Sequence, residues 1–332
     1  DGGFSETTTA SFGANFYIGS VSDDDNVAAG ANDTDDAVTS GYDFQISLET
    51  SFTGEDSLAV TIDAGQLGAA GVGEFGGDDT DDDLEVDGVA YTFPLGDSTT
   101  VMVADNADGS ALFTTACVYG GPSDTLDDCG APNANFANGG TMVGASYDFG
   151  TGLTAAIGYA GGETSLMTEE GEDDWGLNVA YTGDNYGISA SYARVEITPA
   201  NTAGTTNVFV DTGTEDSFLA VQAYYAPEGN FPSISAGFET GEDGSVVGNN
   251  DSLTSYFVGV SWDELGPGSG GVALGTKTPT VEDADAELMY EAYYSYPVND
   301  GVTVTPLVFV KEHTAAGTDD ETGIMVKTSF SF

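Results

Sequence analysis

The sequence predicts an all-β fold: a transmembrane antiparallel up-and-down β-barrel of about sixteen strands, with long outer loops and short periplasmic turns. Three observations lead to this prediction. Apolar and polar residues alternate with period two along most of the chain, short and long connections follow each other in strict alternation, and most segments have about the ten residues that cross a bilayer when a strand is tilted. We therefore expect one barrel domain over residues 1–332.

The predicted strands follow one another from end to end. Each has one apolar face and one polar or small face, as half-buried strands do. The segments are residues 7–19, 41–52, 58–66, 86–95, 99–105, 141–149, 153–161, 175–182, 186–197, 217–226, 233–240, 254–262, 271–277, 286–296, 302–311 and 323–332.

The connections place the loops at the two ends of the barrel. Short connections rich in Gly, Asp and Asn predict seven tight turns at one end, together with both termini. Long acidic connections predict eight loops at the other end: residues 20–40, 68–85, 106–140, 162–174, 198–216, 241–252, 278–285 and 313–319. The alternative is a soluble or surface-attached acidic all-β adhesion or S-layer-type protein, because sandwiches also alternate. Strict short–long alternation and the strand length favour the barrel.

Composition narrows the function classes. There are 56 Asp and Glu against 4 Lys and Arg, a formal net charge of −52, which argues against nucleic-acid binding. Apolar residues at 40% and aromatic residues at 11% are too many for an acidic disordered tail. The chain contains no apolar stretch long enough for a transmembrane helix, and its opening, Asp1-Gly2-Gly3, is not a signal peptide.

The two cysteines predict a disulfide. Cys117 and Cys129 lie in a loop-like stretch rich in Gly, Pro, Asn and Asp, and His313, the single histidine, is distant in sequence. A metal site needs more ligands and a closer pair. A Cys117–Cys129 bridge places the chain outside the cytoplasm.

No enzyme is indicated, because the sequence offers no nucleophile–base pair and no metal-ligand set. The acidic runs in the outer loops match no calcium-binding motif, so no cofactor is predicted. Solvation explains these runs, with weak association of Ca²⁺ or Mg²⁺ at the outer loops as the alternative. The runs are residues 23–25 with 33–36, 78–83 and 169–174.

Several short motifs resemble the cyanobacterial branch of the OprB-like outer-membrane porins. They are EAYYSYPVNDGVTVTP at residues 291–306, WDELGPGSGG at 262–271, SFTGED at 51–56 and YTFPLGD at 91–97. The C-terminal strand, with Phe330 and Phe332 on one face, is similar to the signal by which such barrels are recognised for assembly. The N-terminal S-layer-homology domain typical of the family has no counterpart in this sequence.

The resemblance implies a function and a setting. It implies a general diffusion porin for small hydrophilic solutes and inorganic ions, with sugars as a further solute class. The setting would be the outer membrane of a Gram-negative-type bacterium, and the resemblance points to a cyanobacterium. The expected partners are two further copies in a homotrimer, outer-membrane lipid and lipopolysaccharide, with no nucleic acid.

The resemblance also directs attention to the loop after the fifth strand, which folds inward and narrows the pore in sixteen-stranded porins. Here that loop is residues 106–140, and its carboxylates are Asp108, Asp124, Asp127 and Asp128. Rings of carboxylates favour cations, so we expect a cation preference that weakens as salt rises.

Alternation along the late strands predicts further charges that face the lumen. They are Lys277, Glu287, Glu291, Lys311 and Lys327. The three lysines either form a basic wall opposite the acidic loop or pair with nearby carboxylates. Arg194 shares a face with residues that look lipid-facing, and its role is left open.

Overall fold

The computed structural model describes residues 7–22, 37–67, 73–136, 140–164, 166–168, 173–196, 215–243, 251–314 and 319–332. All sixteen predicted strands are present, and a two-residue strand is added in the 277–287 connection. The strands are β1 (Thr8–Ser22), β2 (Thr39–Thr50), β3 (Ser57–Gln66), β4 (Glu85–Pro94), β5 (Thr99–Asp105), β6 (Thr141–Asp148), β7 (Leu153–Gly161), β8 (Asp173–Thr182), β9 (Tyr186–Glu196), β10 (Glu215–Tyr225), β11 (Ser233–Asp243), β12 (Asp251–Leu265), β13 (Gly268–Thr276), β14 (Thr280–Val281), β15 (Leu288–Asn299), β16 (Val302–Lys311) and β17 (Glu321–Ser331).

The described part contains two short 3₁₀ helices, Gly73–Phe75 and Asp124–Leu126. Among the described residues, no helix has the length and apolar character needed to cross a membrane.

The strands form one closed antiparallel sheet. Each long strand pairs with the strands before and after it, and β1 pairs with β17 from Gly13 opposite Ser331 to Ser22 opposite Thr322. The short β14 pairs only with β12, so β13 and β15 are direct neighbours and sixteen strands make the wall. Within the described residues, these sixteen strands leave no free edge of the wall to pair with another chain.

The two faces of the wall differ as the alternation predicts. On β8, Leu177 and Val179 are 44% and 51% exposed on the outside, whereas Asn178 between them is 2% exposed on the inside. The other strands repeat this arrangement, with Ile157, Ile188 and Ile324 on the outer face. A continuous apolar outer surface is unusual for a soluble protein and suits contact with lipid. This observation disfavours the soluble alternative.

Aromatic side chains collect near the short turns. Close ring pairs there are Phe12–Phe332, Phe52–Tyr91, Tyr91–Phe93, Tyr147–Phe149 and Tyr181–Tyr186. Girdles of this kind sit at the membrane–water boundary of outer-membrane barrels.

The C-terminal residues complete the closing seam. Phe332 stacks on Phe12 at 5.8 Å between ring centroids, and their backbones exchange two N–H···O bonds of 3.1 Å. Phe330 meets Phe16 edge to face at 6.0 Å. Recognition of Phe330 and Phe332 during assembly stays a prediction.

The turn between β2 and β3 is organised by one carboxylate. Asp56 accepts hydrogen bonds from the backbone N–H groups of Phe52 and Thr53 at 2.9 and 2.7 Å, and from the hydroxyls of Ser51, Thr53 and Tyr91 at 2.7–2.9 Å. These bonds, first of all the one from the Thr53 backbone, hold the pKa of Asp56 well below its ordinary value.

Candidate functional site: the barrel lumen

The segment between β5 and β6 runs inside the barrel along its wall. The backbone N–H of Thr114 donates to Asn178 Oδ1 at 3.0 Å, that of Ala116 to Ser189 Oγ at 2.9 Å, and that of Val118 to Ser235 Oγ at 3.0 Å. The three acceptors lie on the inner faces of β8, β9 and β11, respectively. These N–H groups are not paired with another strand. Polar side chains of the wall accept their hydrogen bonds instead.

Two buried carboxylates fix the segment further along. Glu239, 2% exposed on β11, accepts hydrogen bonds from Asn133 N, Asn133 Nδ2 and Ala134 N at 3.0, 2.7 and 2.6 Å. On β15, Glu291 accepts a bond of 2.5 Å from the hydroxyl of Tyr119. The Gln222 amide donates to the carbonyl of Asp128 at 2.8 Å. Hydrogen bonds with side chains of β8 to β15 therefore hold residues 113–134 in place, and we call this stretch the inward segment.

Glycines on the wall let the loop between β5 and β6 lie close to it. A Cβ on Gly237 would stand 1.9 Å from the carbonyl oxygen of Cys129, and one on Gly158 would stand 1.8 Å from that of Gly109. Both atoms in the way are backbone atoms, which cannot rotate aside. Only glycine fits at these two positions while the loop backbone stays where it is.

Cys117 and Cys129 form the predicted disulfide within the inward segment, with their Cα atoms 6.4 Å apart. Cys129 is 2% exposed and belongs to an apolar cluster with Tyr119, Leu126 and Phe257. The ring centroids of Tyr119 and Phe257 are 5.3 Å apart. The disulfide therefore closes a turn that is already packed against β12.

Removal of this bridge should loosen the inward segment without unfolding the wall. The substitution C117S/C129S is expected to lower the free energy of local opening by roughly 3 kcal/mol, because a cross-link of about a dozen residues restricts the open state by that amount on the chain-entropy model. Hydrogen exchange of residues 113–134 should accelerate, while strand amides on β3–β5 keep their protection. Equal protection of the segment in both proteins would contradict the expectation.

The acidic residues proposed for the constriction, Asp108, Asp124, Asp127 and Asp128, all lie in the loop between β5 and β6. The side chains of Asp124, Asp127 and Asp128 reach solvent. Burial, followed by repulsion from Asp124, raises the pKa of Asp127 to about 6. Burial, followed by repulsion from Asp127, raises that of Asp128 to about 7. Burial and then Asp87 raise the pKa of Asp108. Whether the four residues line the narrowest point stays a prediction.

Further carboxylates, which were not among the predicted lumen charges, lie on the inner side of β2, β3 and β4. Asp43 and Asp63 are 6% and 3% exposed and face the lumen, and Asp87 is exposed near the outer end of β4. Asp78 follows the first 3₁₀ helix, and burial, then Asp43 and Asp87, raise its pKa. The sequence could have predicted the inner position of Asp43 and Asp63, because both alternate with apolar neighbours in the predicted strands.

The lysines do not form an open basic wall. Lys311 forms a salt bridge with Glu74, and Lys327 lies 5.5 Å above the ring of Phe75. At the outer rim Lys277 pairs with Glu287 at 2.9 Å and contacts His313 at 3.2 Å. Of the two arrangements that the sequence left open, the structure therefore shows pairing with carboxylates for Lys277 and Lys311. The ammonium group of Lys327 lies over an aromatic ring.

The remaining charges lie in the lumen, at the rim and on the outer face. Glu291 is buried in the lumen, as described above. Glu287 lies at the rim before β15, where hydrogen bonds from Thr314 and then Lys277 lower its pKa to about 2. Arg194 is on the outer face, opposite Trp175 on β8 and Ser217 on β10.

Among the described residues, no group of three or more His, Cys, Asp or Glu side chains has a geometry that could hold a metal ion. Of the acidic runs, 23–25 with 33–36 and most of 169–174 lie outside the described residues. Solvation of these runs stays the prediction, with weak association of Ca²⁺ or Mg²⁺ as its alternative.

The class of protein that these features define is a sixteen-stranded barrel of the bacterial porin type, with a loop folded into the lumen. The chain aligns over 98% of its length with Pseudomonas putida OprB, covering 94% of that chain with a TM-score of 0.68 and 11% identity. It also aligns over 98% of its length with a variant of the Rh. blastica porin, covering all of that chain with a TM-score of 0.60 and 13% identity. At this identity the likeness concerns the fold.

Sequence comparison reaches one distant relative. An uncharacterized protein of Synechocystis sp. is 24% identical over 93% of the chain. The match covers 66% of that protein, so the chain spans just under two thirds of its length. No protein-family model matches the chain.

Proposed function

We propose that the chain is a diffusion channel of a bacterial outer membrane that passes inorganic ions and small hydrophilic solutes and prefers cations. One observation carries the proposal: carboxylates of the inward segment and of β2–β4 are exposed or face each other inside the barrel, whereas each described lysine lies against a carboxylate or an aromatic ring. Sixteen strands enclose an aqueous channel, and fixed negative charges raise the local concentration of cations.

The test is an ion-selectivity measurement on the purified protein in a planar lipid bilayer. Under a gradient of KCl, the reversal potential should report a higher permeability for K⁺ than for Cl⁻. The preference should be strongest at 0.01 M salt, where the Debye length is about 30 Å and outer loops contribute. An anion-preferring channel would contradict the cation preference, and a protein without conductance would contradict the channel itself.

The selectivity should depend on pH between 5 and 8. Asp127 and Asp128 have pKa values of about 6 and about 7, both above the ordinary value, so they are protonated at pH 5 and charged at pH 8. We expect the permeability ratio of K⁺ over Cl⁻ to rise as the pH rises through 6 to 7. The variant D127N/D128N should show a flatter profile, and an equally steep profile in this variant would contradict the assignment.

The membrane setting has its own test. The continuous apolar outer face supports insertion in lipid, and it predicts that the protein needs detergent for extraction. Recovery as a soluble monomer without detergent would instead support the adhesion alternative. A cyanobacterial origin is supported by the Synechocystis relative, and contact with lipopolysaccharide follows from the proposed membrane.

A homotrimer is proposed for the assembly by analogy with general porins. Mass measurement in mild detergent should give three copies, and monomers alone would contradict the proposed trimer.

The preferred solute needs a separate measurement. Recordings with inorganic ions followed by added sugars would rank the two classes, because a sugar that enters the lumen reduces the ionic current.

A further inference from the structure

A second stretch enters the lumen between β3 and β4. The 3₁₀ helix Gly73–Phe75 places Phe75, 5% exposed, against Tyr17 on the inner face of β1, with 5.6 Å between ring centroids. Two residues later, a Cβ on Gly77 would stand 2.5 Å from Asp43 Oδ2 and 2.7 Å from the Tyr17 hydroxyl oxygen. Residues 73–77, here called the second inward stretch, are thus packed on the wall and not suspended above the barrel.

Glu74 connects this stretch to two other elements. Its Oε2 forms the salt bridge with Lys311 Nζ on β16, and its Oε1 accepts a hydrogen bond of 3.1 Å from the backbone N–H of Thr125 in the inward segment. The side chains of Glu74 and Lys311 are only 6% and 16% exposed. One carboxylate therefore touches both the wall and the inward segment, and both of its oxygens are used.

The pairing changes which charges the lumen presents. Lys311 lies on the same inner face as Glu291, Phe309 and Leu307, so without Glu74 its ammonium group would face the water of the lumen. The acidic residues Asp124, Asp127 and Asp128 stand in the adjoining inward segment. An unpaired ammonium there would attract anions and offset part of their field.

We propose that Glu74 is a specificity-determining residue of this channel: by neutralising Lys311 from within the lumen, it leaves the carboxylates of the inward segment as the dominant charges. The inference rests on the proposed channel function. It assigns the ion preference to a loop-borne residue of the second inward stretch, in addition to the carboxylates of the inward segment.

Four proteins test the proposal in planar bilayers at pH 8 and 0.1 M KCl: wild type, E74Q, K311M and E74Q/K311M. The permeability ratio of K⁺ over Cl⁻ should fall roughly threefold in E74Q, the effect expected when one unit charge is added several ångströms from the path in screened water. It should rise in K311M, which leaves Glu74 unpaired. In E74Q/K311M both charges are absent, so the ratio should return to the wild-type value.

The matched control is E55Q, the same chemical change at an exposed residue of the turn between β2 and β3. It should leave the ratio near the wild-type value. If the double variant E74Q/K311M keeps the shift of E74Q, Glu74 acts only by positioning the inward segment, and the proposal is wrong. If E74Q fails to assemble, K311M decides, since an unchanged or lower ratio in K311M overturns the proposal.

These measurements distinguish a failure of the proposed channel function from a failure of the role assigned to Glu74. A wild-type protein without conductance would overturn the channel function, and the role of Glu74 with it. A conducting, cation-preferring wild type whose variants do not follow the order K311M, wild type, E74Q would overturn the role of Glu74 alone.

Discussion

Replacement of Asp124, Asp127 and Asp128 by asparagine is expected to remove most of the cation preference that survives at 1 M salt. At this ionic strength the Debye length is about 3 Å, so charges in the outer loops are screened and only carboxylates beside the ion path still act. The three residues are exposed inside the barrel and keep their shape as amides. At pH 8, where Asp128 with a pKa of about 7 is ionised, the permeability ratio of K⁺ over Cl⁻ should fall severalfold.

The control is the same change at three exposed aspartates of the short turns, D97N/D184N/D300N. It removes an equal formal charge at the other end of the barrel and should leave the ratio at 1 M salt unchanged. An equal fall in both triple variants would mean that net charge, rather than the inward segment, sets the preference. An unchanged ratio in the first variant would place the narrowest point elsewhere.

Substitution of Gly237 by alanine is expected to displace the inward segment and reduce the single-channel conductance. The added Cβ would stand 1.9 Å from the carbonyl oxygen of Cys129, which is fixed by the disulfide and by packing on Phe257. Since the wall is a continuous hydrogen-bonded sheet, we expect the loop to move away from the wall and toward the lumen. Overpacking of this kind costs roughly 1–3 kcal/mol.

Conductance and thermal stability should be measured together for this variant. Gly13→Ala is the matched control, because Gly13 is on the inner face of β1 and a Cβ there would meet nothing closer than 3.9 Å. We expect G13A to match the wild type in both measurements. Wild-type conductance in G237A would show that the segment accommodates the methyl group without moving into the path.

The wall of the barrel was predictable from the sequence because each strand records its two environments locally. Alternation such as Leu177–Asn178–Val179 distinguishes the outer face from the inner face without reference to any other strand. The alternation of short turns and long loops indicated the order of the strands and distinguished the two ends of the barrel. The Cys117–Cys129 bridge was predictable because the two cysteines lie in one loop and have no further cysteine or histidine near them in sequence.

The arrangement of charge in the lumen was decided only by the tertiary structure. The sequence placed Lys311 and Lys327 on the inner face, but the residues that cover them, Glu74 and Phe75, come from a loop more than two hundred positions away. The period of a strand determines which side a residue faces. Which side chain it meets there depends on how two loops fold inside a closed wall, and that is governed by long-range hydrogen bonds and packing that no local pattern contains.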